Sequence, residues 1–349
     1  MRRPRVVQFA ASAVVLAVVT TGCTGGGADS EPTPPAGAGT APGASNLQQS
    51  YESIVRRVLT SVVQITTSEG LGSGIIYDQQ GHIVTNAHVV GRAKTFQVRL
   101  ATGGSPLPAR LVAAFPPDDL AVIKLNDPPS LNPAEFADSS RARVGEIVLA
   151  MGNPLGLSGS VTEGIISAVG RSVQEPPAEG AAGATITSMI QTSAAINPGN
   201  SGGALVDLSG RVIGIPTLAA SDPQLGGGAA PGIGFAIPSN TATRIAGQIV
   251  KYGRVVNSGR AQLGITGATV TNTSGTPIGV SVVEVRAGSG AAKAGIQRGD
   301  VITAINSVKT LTSAELSEVV AQHRPGQVVT VTFLRDQTRG SVKVRLGQL

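Results

Sequence analysis

The sequence has 349 residues, 41% of them hydrophobic and 14% charged, with a formal net charge of +6. That length suffices for two domains that each bury a core. The single cysteine, Cys23, excludes an intramolecular disulfide framework and a cysteine-rich zinc site, and no basic stripe interleaved with aromatics supports nucleic-acid binding.

The chain opens on a basic start, MRRPR, followed by an apolar run from Val6 to Val19 that is short for a membrane span. The run ends in Thr20-Thr21-Gly22-Cys23, so residues 1–22 read as a signal peptide. Setting aside Arg2, Arg3 and Arg5 leaves 24 basic against 21 acidic residues, a balance of +3. Residues 23–45, rich in Gly, Pro, Ala, Ser and Thr, cannot bury enough apolar surface to order themselves and read as a disordered tether. From Leu47 the pattern changes. Leu47, Tyr51, Ile54, Val55, Val58 and Leu59 recur at helical spacing and predict a short amphipathic helix leading into a first strand, SVVQITT.

Between Val62 and Pro238, short β-rich runs alternate with Gly, Pro, Asp and Asn turns, the pattern of an all-β barrel or sandwich. Two stretches rich in Gly, Pro and Ala, 172–184 and 219–231, are expected to be mobile loops. Pro238-Ser239 opens a helix that Ser239 or Asn240 should cap, with Ala242, Ile245, Ala246, Ile249 and Val250 on one face and a stop near Tyr252-Gly253. Asn257-Ser258-Gly259 reads as an interdomain linker, which gives two domains, 46–256 and 257–349. The second alternates strands with one clear helix, Ser313 to Gln322.

The chemistry centres on Gln191 to Val206, QTSAAINPGNSGGALV. Its Ser201 lies among glycines that allow a sharp turn and bring amide N–H groups close to a ligand, as a nucleophilic serine requires. A base and an orienting carboxylate must accompany it. Of the three histidines, His88 in TNAHVV follows an apolar strand-like run, whereas His82 and His323 read as solvent-facing. In PPDDLAVIKL, Asp119 directly precedes a buried-strand pattern and can be fixed at its start; Asp118, pointing the other way, is the alternative.

His88, Asp119 and Ser201 occur in the chain order of chymotrypsin-like proteases. Together with DDLAVIKL, AMGNPLGL, VTEGIISAVGR and GIGFAIPSN, they resemble the HtrA (DegP/DegS-like) family of trypsin-like serine proteases. LGIT, AAKAGIQRGDVITAINSV and PGQVVTVTFLR resemble that family's PDZ domain. The resemblance covers nearly everything after residue 46. It implies a mainly β fold, a chymotrypsin-like double antiparallel β-barrel followed by a small α+β PDZ domain.

It implies equally an exported serine endopeptidase, without cofactor or metal, that acts on unfolded or misfolded envelope proteins. The backbone N–H groups of Gly199 and Ser201 would form the oxyanion hole. The position six residues before the nucleophile is Ala195, so a neutral, aliphatic substrate side chain is expected, with Ile196, Ile215 and Thr217 as candidate pocket walls. Ser193 and Pro216 depart from the family's usual Asp and Asn, and Pro216 brings no N–H. Leu263, Gly264 and Ile265 correspond to the PDZ loop that receives the carboxylate of a peptide with an apolar C-terminus. The family assembles as a homotrimer through N-terminal residues of its protease domain. The alternative is a chaperone or PDZ scaffold with minor or switched-off proteolysis.

Small residues before Cys23 resemble a bacterial lipoprotein signal, with Thr20 where Leu is usual. Ordinary secretion and an uncleaved anchor are the alternatives, and all three place the protein on the extracytoplasmic side of the membrane. On the lipoprotein reading, the mature chain begins at an acylated Cys23. Cys23→Ser should then block lipidation and shift the protein out of the membrane fraction. Mass spectrometry of the mature N-terminus checks this, and an unmodified cysteine or a different start refutes it.

Overall fold

The structure is a computed structural model that describes residues 42–349 except Glu69, Thr102, 154–158, 175–184, Pro198 and 223–227. The signal peptide and Cys23 lie outside the described residues. The chain divides into Met1–Ser45 and Asn46–Leu349, and everything below concerns the second unit.

Two closed antiparallel barrels carry the protease-like part. The first contains β1 (Val62–Thr66), β2 (Leu71–Ile76), β3 (His82–Thr85), β4 (Thr95–Leu100), β5 (Leu107–Phe115) and β6 (Leu120–Leu125), with a one-turn helix α2 (Ala87–Val90) after β3. The second contains β7 (Ile147–Gly152), β8 (Ser160–Gln174), β9 (Thr185–Thr192), β10 (Ala204–Val206), β11 (Val212–Asp222) and β12 (Gly228–Pro238). Helix α1 (Pro42–Leu59) precedes the first barrel and α3 (Ser239–Tyr252) follows the second.

The period of two along a strand explains how the barrels join. In β6, Ala121, Ile123 and Leu125 fill the interior of the first barrel. The alternate residues Leu120 and Val122 face a second cluster, shared with Leu149 and Met151 of β7. Val148 and Ala150 of β7 turn into the interior of the second barrel. The shared cluster is the seam between barrels. Ile54 and Val58 of α1 and Ala242, Ile245, Ala246 and Ile249 of α3 close it. These are positions that the helical spacing selects.

The remaining chain has its own core, which includes Val280, Ile302, Val331 and Phe333. Its sheet runs β14 (Ile265–Thr271), β15 (Pro277–Val285), β16 (Val301–Ile305), β18 (Val328–Arg335), β19 (Thr338–Arg345), with β17 (Val308–Lys309) against β16. Strands β13 (Ala261–Gln262) and β20 (Gly347–Gln348) pair separately. Helices α4 (Gly290–Lys293) and α5 (Ser313–Ala321) complete it. Thr312 caps α5 by accepting the Glu315 N–H at 3.1 Å, while the Glu315 carboxylate returns to the Leu311 N–H. Among the described residues no helix is long and apolar enough to cross a membrane.

Several expectations need correction. His82 is not solvent-facing but buried at the start of β3, where Asp78 takes its Nδ1 at 2.7 Å. Neither Ser239 nor Asn240 caps α3, whose N-cap is Pro238. Ser239 Oγ instead donates to Ala137 O, and the Asn240 amide holds Asp138. Residues 172–174, 219–222 and 228–231 belong to strands rather than mobile loops, and the rest of those two stretches is outside the described residues. The linker Asn257-Ser258-Gly259 is seated on α3: Gln248 donates to Asn257 O at 2.8 Å and Arg244 donates to Ser258 O.

Ile245 is fully buried in the seam. Ile245→Ala should cost about 2–5 kcal/mol, because a cavity there borders two barrels that cannot both relax. The exposed Ile278→Ala should stay within about 0.5 kcal/mol. Urea unfolding, read as a shift in midpoint at unchanged slope, measures both.

Candidate active site at the barrel seam

His88 and Asp119 come from opposite ends of two paired strands. Strand β3 ends at Thr85, and Asn86 and α2 carry the chain to His88. Asp119 lies just before β6, at the end of a 3₁₀ turn spanning Pro116–Asp118. Thr85 pairs with Ala121, so the residues flanking the two strand ends meet. Asp119 adopts a left-handed conformation, φ 48°, which a short polar side chain tolerates. The turn is closed by its N–H on Pro116 O at 2.9 Å, and its carbonyl accepts from Asn86 Nδ2 at 3.0 Å.

The Asp119 carboxylate is 1% exposed and fully engaged. Oδ1 accepts the His88 backbone N–H at 2.9 Å, and Oδ2 lies 2.8 Å from His88 Nδ1. Oδ2 also accepts from Thr217 Oγ1 of β11. A carboxylate at Nδ1 fixes the ring proton there and leaves Nε2 as the acceptor. The His88 side chain is 36% exposed.

Ser201 stands across the seam, in the turn before β10. Its Oγ donates to Thr217 O at 3.1 Å. Thr217 therefore touches both partners, the carboxylate through its hydroxyl and the serine through its carbonyl. The turn is clamped by the first barrel. Ser73 N donates to Ser201 O at 3.0 Å, and Ser73 Oγ donates to Gly199 O. Gly202, at φ +80°, is required here, since a Cβ would stand 2.2 Å from Ser73 O. Among the described residues the Gly199 and Ser201 N–H groups have no hydrogen-bond acceptor.

The other expected site residues are placed as follows. Ala195 is exposed, with its carbonyl accepting from Thr162 Oγ1 at 2.8 Å and Asn200 Nδ2 at 3.0 Å. Ile196 packs in the second barrel's interior and Ile215 in the seam. Thr217 turns its side chain to Asp119. Pro216 lies at a shift of register in β11 and accepts from Gly202 N at 2.9 Å. Ser193 Oγ accepts from the Ile165 N–H at 3.0 Å. Asp118 does not join the site; it is buried against Arg260, whose Nη1 donates to Oδ1 at 2.9 Å. Burial pushes the Asp118 carboxyl above its ordinary range, against the pull of Arg260 and Arg244.

Leu263, Gly264 and Ile265 line a cleft together with Leu316 and Val320 of α5. Gly264 is at φ +81°, and a Cβ there would meet Ser289 Cβ at 2.3 Å. Among the described residues no group of three or more His, Cys, Asp or Glu could hold a metal ion. Sequence reasoning missed the parts of Asn86, Ser73 and the Thr217 hydroxyl. The available signals were the Asn two residues before His88 and a serine between two glycines in LGSGII, where only small residues admit a neighbouring backbone.

Two such barrels with histidine, aspartate and serine at their seam define a trypsin-like peptidase architecture. Residues 72–215 match the family described as trypsin-like peptidase domain, and residues 261–346 match the PDZ domain. A Haemophilus influenzae protein named "Probable periplasmic serine protease do/HhoA-like" is 41% identical over 284 residues, covering 79% of this chain and 58% of that protein. Serine protease PepD of Mycobacterium tuberculosis is 37% identical over 377 residues, covering 99% and 79%. The solved structure of the HtrA-type protease AlgW with a decapeptide superposes with a TM-score of 0.59 at 32% identity, covering 86% and 98%. The chain belongs to the HtrA family of serine proteases. It spans about 58% of the length of the Haemophilus relative.

Thr217→Val keeps the volume and removes the hydroxyl from Asp119. The loss of one hydrogen bond to a charged group, about 1.5–3 kcal/mol, should lower kcat on a short chromogenic peptide by on the order of tenfold or more, with KM little changed. Thr217→Ser should retain most of the rate.

Proposed function

We propose that this chain is an exported serine endopeptidase that cleaves unfolded or misfolded envelope proteins through an acyl-enzyme, with His88, Asp119 and Ser201 as its triad. The observation that carries the reading is the bracketing of the Asp119 carboxylate by His88 N, His88 Nδ1 and Thr217, with Ser201 Oγ on the Thr217 carbonyl.

His88 Nε2 accepts the Ser201 proton as the oxygen attacks the peptide carbonyl, and returns it to the leaving amine. Asp119 holds the tautomer and stabilises the imidazolium. For this to begin, the Ser201 hydroxyl exchanges its hydrogen bond to Thr217 O for one to the imidazole. The N–H groups of Gly199 and Ser201 stabilise the oxyanion, at about 3–4 kcal/mol per donor. Water then attacks the acyl-enzyme by the same route, with His88 again as base.

Ala195 leaves the substrate pocket without charge, so an apolar side chain is preferred before the cut. The Leu263-Gly264-Ile265 loop receives peptides with apolar C-termini, which recruit substrate or change the rate at Ser201. In this reading the protein is a homotrimer on the outer face of the cytoplasmic membrane, held by lipid at Cys23. The names of the relatives, periplasmic serine proteases among them, support the location and the reaction class.

The deciding assay is digestion of unfolded casein by the purified chain. Ser201→Ala should abolish it, by at least about 10⁴-fold, while leaving the circular dichroism spectrum and melting temperature intact. Cleavage by the variant at near wild-type rate refutes the triad. A folded wild-type chain that suppresses aggregation without cutting casein favours the chaperone reading.

A further inference from the structure

The residue beside Asp119 is tied to the far part of the chain. Asp118 is 4% exposed and ends the same 3₁₀ turn that Asp119 closes. Its Oδ1 accepts from Arg260 Nη1 at 2.9 Å, and the same nitrogen donates to Pro117 O. Its Oδ2 is buried with no hydrogen-bond partner, so Arg260 is the contact that offsets the desolvation of this carboxylate. Arg260 is itself fixed. Its N–H donates to Ser258 Oγ at 3.2 Å, and Ser258, fully buried, is held by Arg244 of α3. The next residues are β13 and the Leu263-Gly264 loop, and Arg260 borders the peptide cleft.

We propose that Arg260 is a positioning residue for the triad: through Pro117 O and the Asp118 carboxylate it holds the 116–119 turn, and so aims the Asp119 carboxylate at His88. This rests on the triad reading given above. The physical reason is the short lever. Asp119 is in the left-handed region, a conformation less stable for Asp than the right-handed one, and it persists only where its surroundings hold it. Asn86 grips the Asp119 carbonyl from one side. On the other side, the turn's Pro117 carbonyl and Asp118 side chain are gripped by one guanidinium. Without it, the buried Asp118 carboxylate loses its hydrogen-bonded partner and keeps only the longer-range pull of Arg244, so the turn gains a reason to rearrange. A rotation of the Asp119 backbone by a few tens of degrees would separate its two oxygens from the two His88 nitrogens that they now face. The residue directly before the PDZ match therefore contributes a side chain to the organisation of the catalytic site.

The test uses the full chain and a short chromogenic peptide, which needs no PDZ docking. The variants are Arg260→Gln, Arg260→Lys, Asp118→Asn and the double variant Arg260→Gln/Asp118→Asn, with Ser201→Ala as control. Positioning predicts that Arg260→Gln lowers kcat at least tenfold while KM stays within about twofold, since the lost interaction acts on the triad and not on substrate binding. Arg260→Lys, which keeps the charge and can reach one of the two acceptors, should recover part of the rate. The double variant should be no worse than the more damaging single one, because the two residues act as a unit. The pH dependence of kcat/KM should also move in Arg260→Gln, because the base is no longer paired with an aligned carboxylate.

Melting temperatures accompany every assay; should Arg260→Gln not fold, the near-isosteric Asp118→Asn takes its place with the same expected split. A folded variant with wild-type kcat and an unmoved pH profile overturns the proposal. So does a fall in kcat/KM carried entirely by KM. If Ser201→Ala cleaves the peptide, the triad reading itself has failed and the proposal falls with it; an inactive Ser201→Ala beside a fully active Arg260→Gln refutes positioning alone.

Discussion

One buried carboxylate joins the two barrels. Asp119 Oδ1 serves the backbone of His88, and Oδ2 is shared by the His88 ring and the hydroxyl of Thr217. The first two donors belong to the first barrel and the third to β11 of the second. A charge taken out of water at this site is tolerable only because every oxygen is engaged, at about 1.5–3 kcal/mol for each hydrogen bond to a charged group. The geometry holds only while the seam of Leu120, Val122, Leu149, Met151 and the α3 side chains fixes the barrels in register. Packing and electrostatics here are one constraint: a slide along the seam would move Thr217 off Asp119 and Ser201 off Thr217 together.

Small residues do the complementary work around Ser201. Ser73 grips Ser201 and Gly199 through their carbonyls, and Gly202 has no room for a side chain. Gly203 is as tight, with a would-be Cβ 2.1 Å from Met151 O. The same device recurs at Gly264, pressed on Ser289 beside the cleft that Leu316 and Val320 border. In each place a side chain on the glycine would collide with its neighbour, and at Gly202 and Gly203 the close approach lets both N–H groups bond internally, to Pro216 O and Asn200 O.

The connection between the two functional parts is specified rather than loose. A short Asn-Ser-Gly string reads as a linker by composition, yet Gln248 and Arg244 of α3 bind its carbonyls and Ser258 is fully buried. Arg260, which follows directly, reaches back to Asp118. Composition reports local backbone freedom, and long side chains from elsewhere in the chain can remove it.

The strand alternation in LAVIKL and EIVLAMG, the helical spacing from Leu47 and from Ala242, and the glycines around Ser201 were legible in the sequence because each is a local pattern with a local cause. The chain order of His88, Asp119 and Ser201 was legible too, and the structure brings the three to one seam. The sequence favoured Asp119 with Asp118 kept as the alternative, and the structure places the Asp119 carboxylate against His88. It did not determine which second group would hold the Asp119 carboxylate, that His82 would be buried on Asp78, or that Ser239 and Asn240 would serve the neighbouring segment instead of capping α3. Nor did it show where Asp118 would go. Thr217 and Arg260 lie 98 and 142 residues from their acidic partners, and at such separations no periodicity or spacing links two side chains. Only closure of the barrels and the seating of the chain after α3 decide those meetings, because they depend on which surfaces the core brings into contact.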